Sequence, residues 1–160
     1  IGAFGTTSTG SGTLTMTHTG GPVTLGDNYC VAGANSVSAL GARIRATGSL
    51  SIFANNLHLV AGPVAPQQPG IFYYGPQQTM SAFGDGFRCV GGPTGTVVRM
   101  FPFAQGDAGG FLNYTMDNTQ PVHVQVVPGA SLNFQAWFRD PAAGMTGFNL
   151  SDATEITFTP

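Results

Sequence analysis

The chain has 160 residues, 42% of them hydrophobic and only 8% charged, with five arginines, seven acidic residues and no lysine. Typical domains carry about 25% charged residues, so this balance excludes a nucleic-acid surface, which needs clustered cations, and disfavours helices, which draw on Glu and Lys. Twelve Phe and four Tyr argue against disorder, 24 Gly and 11 Pro point to many turns, and no apolar run is long enough to insert in a membrane as a helix.

Residues 1–27 read as a junction segment or an N-terminal strand, and 28–160 as one sandwich domain. Thr13 to His18 alternates Leu14 and Met16 with polar residues, the period of a strand with one buried face, and Gly20-Gly21-Pro22 ends it. Three strands are expected between Val37 and Val60. Ala42–Ala46 places Arg43 and Arg45 on the solvent side of Ile44, Leu50–Phe53 follows Gly48, and Leu57–Val60 follows the Asn55-Asn56 turn. Gly62 to Gly70 is a Pro/Gln loop.

Ile71–Tyr74 is a strand framed by two Pro-Gln-Gln copies, with Tyr73 on the face opposite to Phe72 and Tyr74. Further strands are expected at Phe87–Val90, Thr96–Phe101, Phe111–Met116, Val122–Val127, Ser131–Arg139 and Glu155–Thr159, with turns such as Asp85-Gly86 between them. About ten short strands with no helical period make an antiparallel β-sandwich of jelly-roll type.

Cys30 and Cys89 match neither a zinc spacing nor a Cys-x-x-Cys redox motif. A structural disulfide is expected, with two buried thiols as the alternative. A disulfide places the protein in an oxidising compartment, hence secreted and extracellular. The chain starts at Ile1 with no basic region ahead of an apolar stretch, so a mature form or an excised fragment is expected.

The most informative strand is Ser131–Arg139. Alternation sends Leu132, Phe134, Ala136 and Phe138 to one face and Asn133, Gln135, Trp137 and Arg139 to the other. The second face sets the one tryptophan among two amides and a guanidinium, which suits a sugar: its C–H face stacks on an aromatic ring and its hydroxyls need planar donors and acceptors. Tyr73 and the glutamines near it offer a second polar-aromatic patch. The competing reading puts Trp137 under a loop and Tyr73 in a core strand.

Asn28-Tyr29-Cys30, Phe87-Arg88-Cys89-Val90-Gly91-Gly92 and Asn133-Phe134-Gln135-Ala136-Trp137-Phe138-Arg139-Asp140 resemble a C-terminal domain, without assigned activity, found in large secreted proteins of environmental bacteria. The similarity runs from about Asn28 to Pro160. It implies export and paired cysteines and transfers no site.

Catalytic groups are scarce. Glycoside hydrolysis needs two facing carboxylates, and no pair stands out among the seven acids. His18, His58 and His123 fall in three expected strands without ligand spacing, and there is no nucleophile elbow or phosphate loop. The chain is therefore read as not an enzyme. Calcium is the one cofactor weighed, with Asp27, Asp85 and Asp107 as its candidate ligands in turns.

The function expected is a non-catalytic carbohydrate-binding or adhesion module with a polysaccharide partner. The alternative is a structural subunit of a surface layer or extracellular filament, in which copies of the chain join by β-strand addition.

Overall fold

The computed structural model describes residues 23–160, and the Thr13–His18 strand expectation and His18 lie outside them. Ten strands and one short 3-10 turn make up the described residues, with no α-helix. They are β1 (Asp27–Tyr29), β2 (Arg43–Thr47), β3 (His58–Gly62), β4 (Pro69–Gly75), β5 (Gln77–Phe83), β6 (Gly86–Gly91), β7 (Val98–Gln105), β8 (Leu112–Thr115), β9 (Ser131–Arg139) and β10 (Phe148–Thr157).

The strands form a five-stranded sheet in the order β1-β10-β9-β4-β7, a three-stranded sheet β2-β3-β8 and a two-stranded hairpin β5-β6. Every pair of named strands is antiparallel. The two larger sheets make the sandwich. The hairpin packs on the far face of the five-stranded sheet, where Cys89 and Val90 meet Tyr73, Leu150 and Ala153, so part of that face is buried as well. The division into five, three and two strands carries the sandwich but not, by itself, the two Greek keys of the expected jelly roll.

The core follows the pleat. Phe134, Ala136 and Phe138 of β9, Phe72 and Tyr74 of β4 and Ile156 of β10 meet Ile44, Leu59 and Leu112 of the smaller sheet, all of them buried. Phe134 touches Tyr74 and Phe158, with ring centroids 5.3 and 6.2 Å apart. Arg43 and Arg45 point to solvent on either side of buried Ile44, as the alternation requires.

Two features join the layers. Leu25 bridges to Ala46 of β2 just before the chain enters β1 on the larger sheet, so paired structure begins ahead of residue 28. In β10 the register slips between Leu150 and Ala153. This bulge turns Asp152 toward β2, where one carboxylate oxygen accepts the Ile44 N–H at 2.7 Å and the other accepts the Asn28 amide at 3.1 Å. A bulge re-aims a side chain in this way because two residues oppose one. Burial pushes the Asp152 carboxyl pKa up, against those hydrogen bonds and Arg43.

Several expected elements differ. Leu50–Phe53 is not a strand. Thr47 pairs directly with His58, so residues 48–57 close the β2–β3 hairpin, and Phe53 is exposed. Val122–Val127 is not a strand either: Pro121 opens a 3-10 turn that ends at His123, and of this stretch only His123 and Val126 are buried. Gln77–Phe83 proves to be β5, whose mostly exposed residues show no alternation. The last strand starts at Phe148 instead of Glu155, since β10 is covered on both faces and carries buried Asn149, Ser151 and Asp152.

Candidate ligand groove

Cys30 and Cys89 are disulfide-bonded, tying the chain after β1 to β6. The bond fastens the hairpin to the sheet beneath it. Within the chain-entropy account, closing a loop of 59 residues stabilises the fold by about 4 kcal/mol.

Gln135 is the second fastening. Its side chain is fully buried under the hairpin. Its carbonyl oxygen accepts the Tyr73 hydroxyl and the Cys89 N–H, the latter at 2.9 Å. Its amide donates to the carbonyls of Phe87 at 2.8 Å and Ser151 at 2.7 Å. All four bonds a glutamine side chain can make are thus made internally, linking β9 to β4, β6 and β10. Asn133 is also buried, and its amide donates to Gly75 O at 3.4 Å. The expectation that Asn133 and Gln135 present their amides to a ligand is therefore corrected: the returning hairpin covers them.

The hairpin turn carries one glycine constraint. Gly84 has φ +63°, and a Cβ there would lie 2.2 Å from the Phe148 ring. Only glycine lets the turn lie this close to Phe148, which in turn packs on Phe83 at 5.2 Å and on Trp137 at 5.6 Å between centroids.

Where the hairpin stops, a groove opens. It encloses about 470 Å3 between the hairpin and the edge strand β7. Ile71 and Tyr73 of β4 and Trp137 of β9 form its floor. Phe83 and Arg88 flank it from the hairpin, and Val97, Arg99 and Phe103 from the β7 side. Register explains the placement: Trp137 lies opposite Ile71, and Tyr73 is flanked by Gln135 on one side and Arg99 on the other. Directly opposed residues on one face stand about 5 Å apart, which sets Arg99 beside Tyr73.

Edge strand β7 contributes an apolar rim. Its register against β4 slips between Gly70 and Phe72, pushing out Phe101-Pro102-Phe103. Phe101 and Phe103 pack edge to face at 5.2 Å and are both more than half exposed. Proline has no N–H to offer a further strand, so it belongs at such an edge.

No acidic residue lines the groove, although the chain as a whole carries a formal charge of −2. Burial raises the Tyr73 hydroxyl pKa, with Arg88 acting in the opposite direction. Tyr73 is therefore a neutral donor at physiological pH, and it spends its proton on Gln135.

Of the ligand residues expected from sequence, Trp137 lines the groove half-buried, whereas Tyr73 is buried in its floor with its hydroxyl bonded to Gln135, the place the core-strand reading gives it. Arg139 is exposed at the end of β9 and is not part of the lining. Arg88 and Arg99 supply the guanidinium groups instead. Arg99 lies within an expected strand, but nothing local to it says that β7 would border Tyr73 and Trp137.

The three aspartates proposed for calcium do not make a joint site. Asp107 accepts the N–H groups of Gly109 and Phe111, both at 2.9 Å, and so shapes its own turn. Asp85 accepts the N–H groups of Met145 and Thr146, and Asp27 is exposed on β1 opposite Glu155. No three His, Cys, Asp or Glu side chains cluster to hold a metal ion among the described residues. Short polar residues in tight turns serve backbone N–H groups first, which accounts for Asp107 and Asp85.

No family model, curated protein or solved structure matches the chain.

Proposed function

We propose that this domain is a non-catalytic carbohydrate-binding module working outside the cell. The observation that carries the reading is the half-buried Trp137 ring on the floor of an open groove, with Tyr73 beside it. An aromatic ring held by Phe148 and Ile71 gives a sugar's C–H face a flat partner at small entropic cost. The lack of carboxylates in the groove supports binding without hydrolysis, which uses two of them. Export is supported by the Cys30–Cys89 bond and by the resemblance of the cysteine segments to a secreted domain.

Assembly by strand addition is less well supported. Edge strand β7 is interrupted by Pro102 and its bulge, and edge strand β8 has four residues, so both are poor acceptors of a further strand.

Affinity electrophoresis against a panel of soluble polysaccharides tests the reading. At least one glycan should retard the protein, and Trp137→Ala should abolish that retardation while the protein stays folded by circular dichroism. Retardation unchanged in Trp137→Ala would remove Trp137 as the platform.

A further inference from the structure

The groove's charge is as informative as its shape. Two of the chain's five cations, Arg88 and Arg99, line it, and none of the seven acids does. They approach from opposite walls, Arg88 from β6 of the hairpin and Arg99 from β7. Both are exposed, so neither is spent in the core, and Tyr73 lies between them on the floor. Two like charges on facing walls, with no acid between them, favour an anionic ligand over a neutral one.

We propose that the groove selects a polysaccharide built from uronic acids, whose carboxylates Arg88 and Arg99 hold while Trp137 stacks on a neighbouring ring. The inference rests on the carbohydrate-binding reading and adds the charge of the ligand. Guanidinium is a planar fork that pairs two N–H groups with two carboxylate oxygens. Trp137 on β9 and Arg99 on β7 are two strands and one diagonal step apart, a span of roughly 12 Å. That is about the length of two linked sugars, so a chain with one carboxylate per ring offers an anion near Arg99 when one ring covers Trp137. The exposed Phe103 on the same wall offers apolar contact to the ring edges between them.

The test is calorimetry of the protein with a polyuronate, with the same polymer after carboxyl reduction to its neutral form, with a sulfated glycan and with an acidic peptide. The polyuronate should bind tightest, and added salt should weaken it by screening the guanidinium pairs. Arg88→Gln and Arg99→Gln should each weaken polyuronate binding about fivefold and narrow its advantage over the neutral polymer. Both arginines are exposed, so the melting midpoint should not move. Equal or tighter binding of the neutral polymer would overturn the charge inference and leave the glycan reading standing. Equal binding of the sulfated glycan would overturn the choice of carboxylate. Binding of the acidic peptide with no glycan bound would overturn both readings.

Discussion

The outer face of the five-stranded sheet has two halves that differ in one respect, whether the β5–β6 hairpin lies over them. On the covered half, Gln135 and Asn133 of β9 are enclosed, and Gln135 binds the hairpin through Cys89 N–H and Phe87 C=O. On the open half, Trp137 of the same strand faces a groove flanked by Arg88 and Arg99. Side chains two residues apart on one face thus divide between structure and surface. A polar side chain is a ligand contact only if nothing else completes its hydrogen bonds, and for Gln135 the hairpin does so first.

The largest effect should come from the fastening of the covered half. Replacing both Cys30 and Cys89 by Ser should lower the unfolding free energy by about 4 kcal/mol in urea titration. A loss under about 1 kcal/mol would mean that Gln135 and apolar packing hold the hairpin without the sulfur bond.

Gln135→Leu comes next. It leaves Tyr73 hydroxyl, Cys89 N–H and the Phe87 and Ser151 carbonyls without their partner, so a cost of about 3 kcal/mol is expected. Arg99→Gln on the open half should stay within about 0.5 kcal/mol of the parent. Equal costs for the two would erase the distinction between covered and open halves.

The smallest effect concerns the inner face, which serves as the control. His123 is buried against Tyr74, its Nδ1 3.0 Å from the Tyr74 hydroxyl. Burial holds its pKa below the ordinary 6.5, against the pull of Asp117. Unfolding therefore takes up a proton near and below the ordinary value. The stability tied to a neutral His123 is present above that pH and is lost as pH falls through the lowered value. The melting midpoint should thus fall more steeply toward acid in the parent than in His123→Gln. Asp152, whose pKa is raised, acts oppositely at more acid pH and cancels in the difference between the two proteins. Parallel curves would show that His123 is not the group responsible.

Alternation along Ser131–Arg139 was enough to assign both faces of β9: the residues assigned inward are all in the main core, and Trp137 does reach the opposite face. The same logic placed Arg43, Ile44 and Arg45. It failed at Val122–Val127, where a strand-like alternation sits between Pro121 and Pro128 and folds as tight turns. It failed again at Gln77–Phe83, because a strand exposed along nearly its whole length carries no buried face to read.

The sequence by itself determined the all-β class, most of the strands and which side of β9 is apolar, since the pleat is a local property with a period of two. Only the tertiary structure decided what covers each side. The return of the β5–β6 hairpin over Gln135, and the arrival of Arg88 and Arg99 around Tyr73, depend on contacts between segments far apart in the chain. No local pattern encodes them, because a strand's periodicity separates two faces but carries no information about which neighbour each will meet.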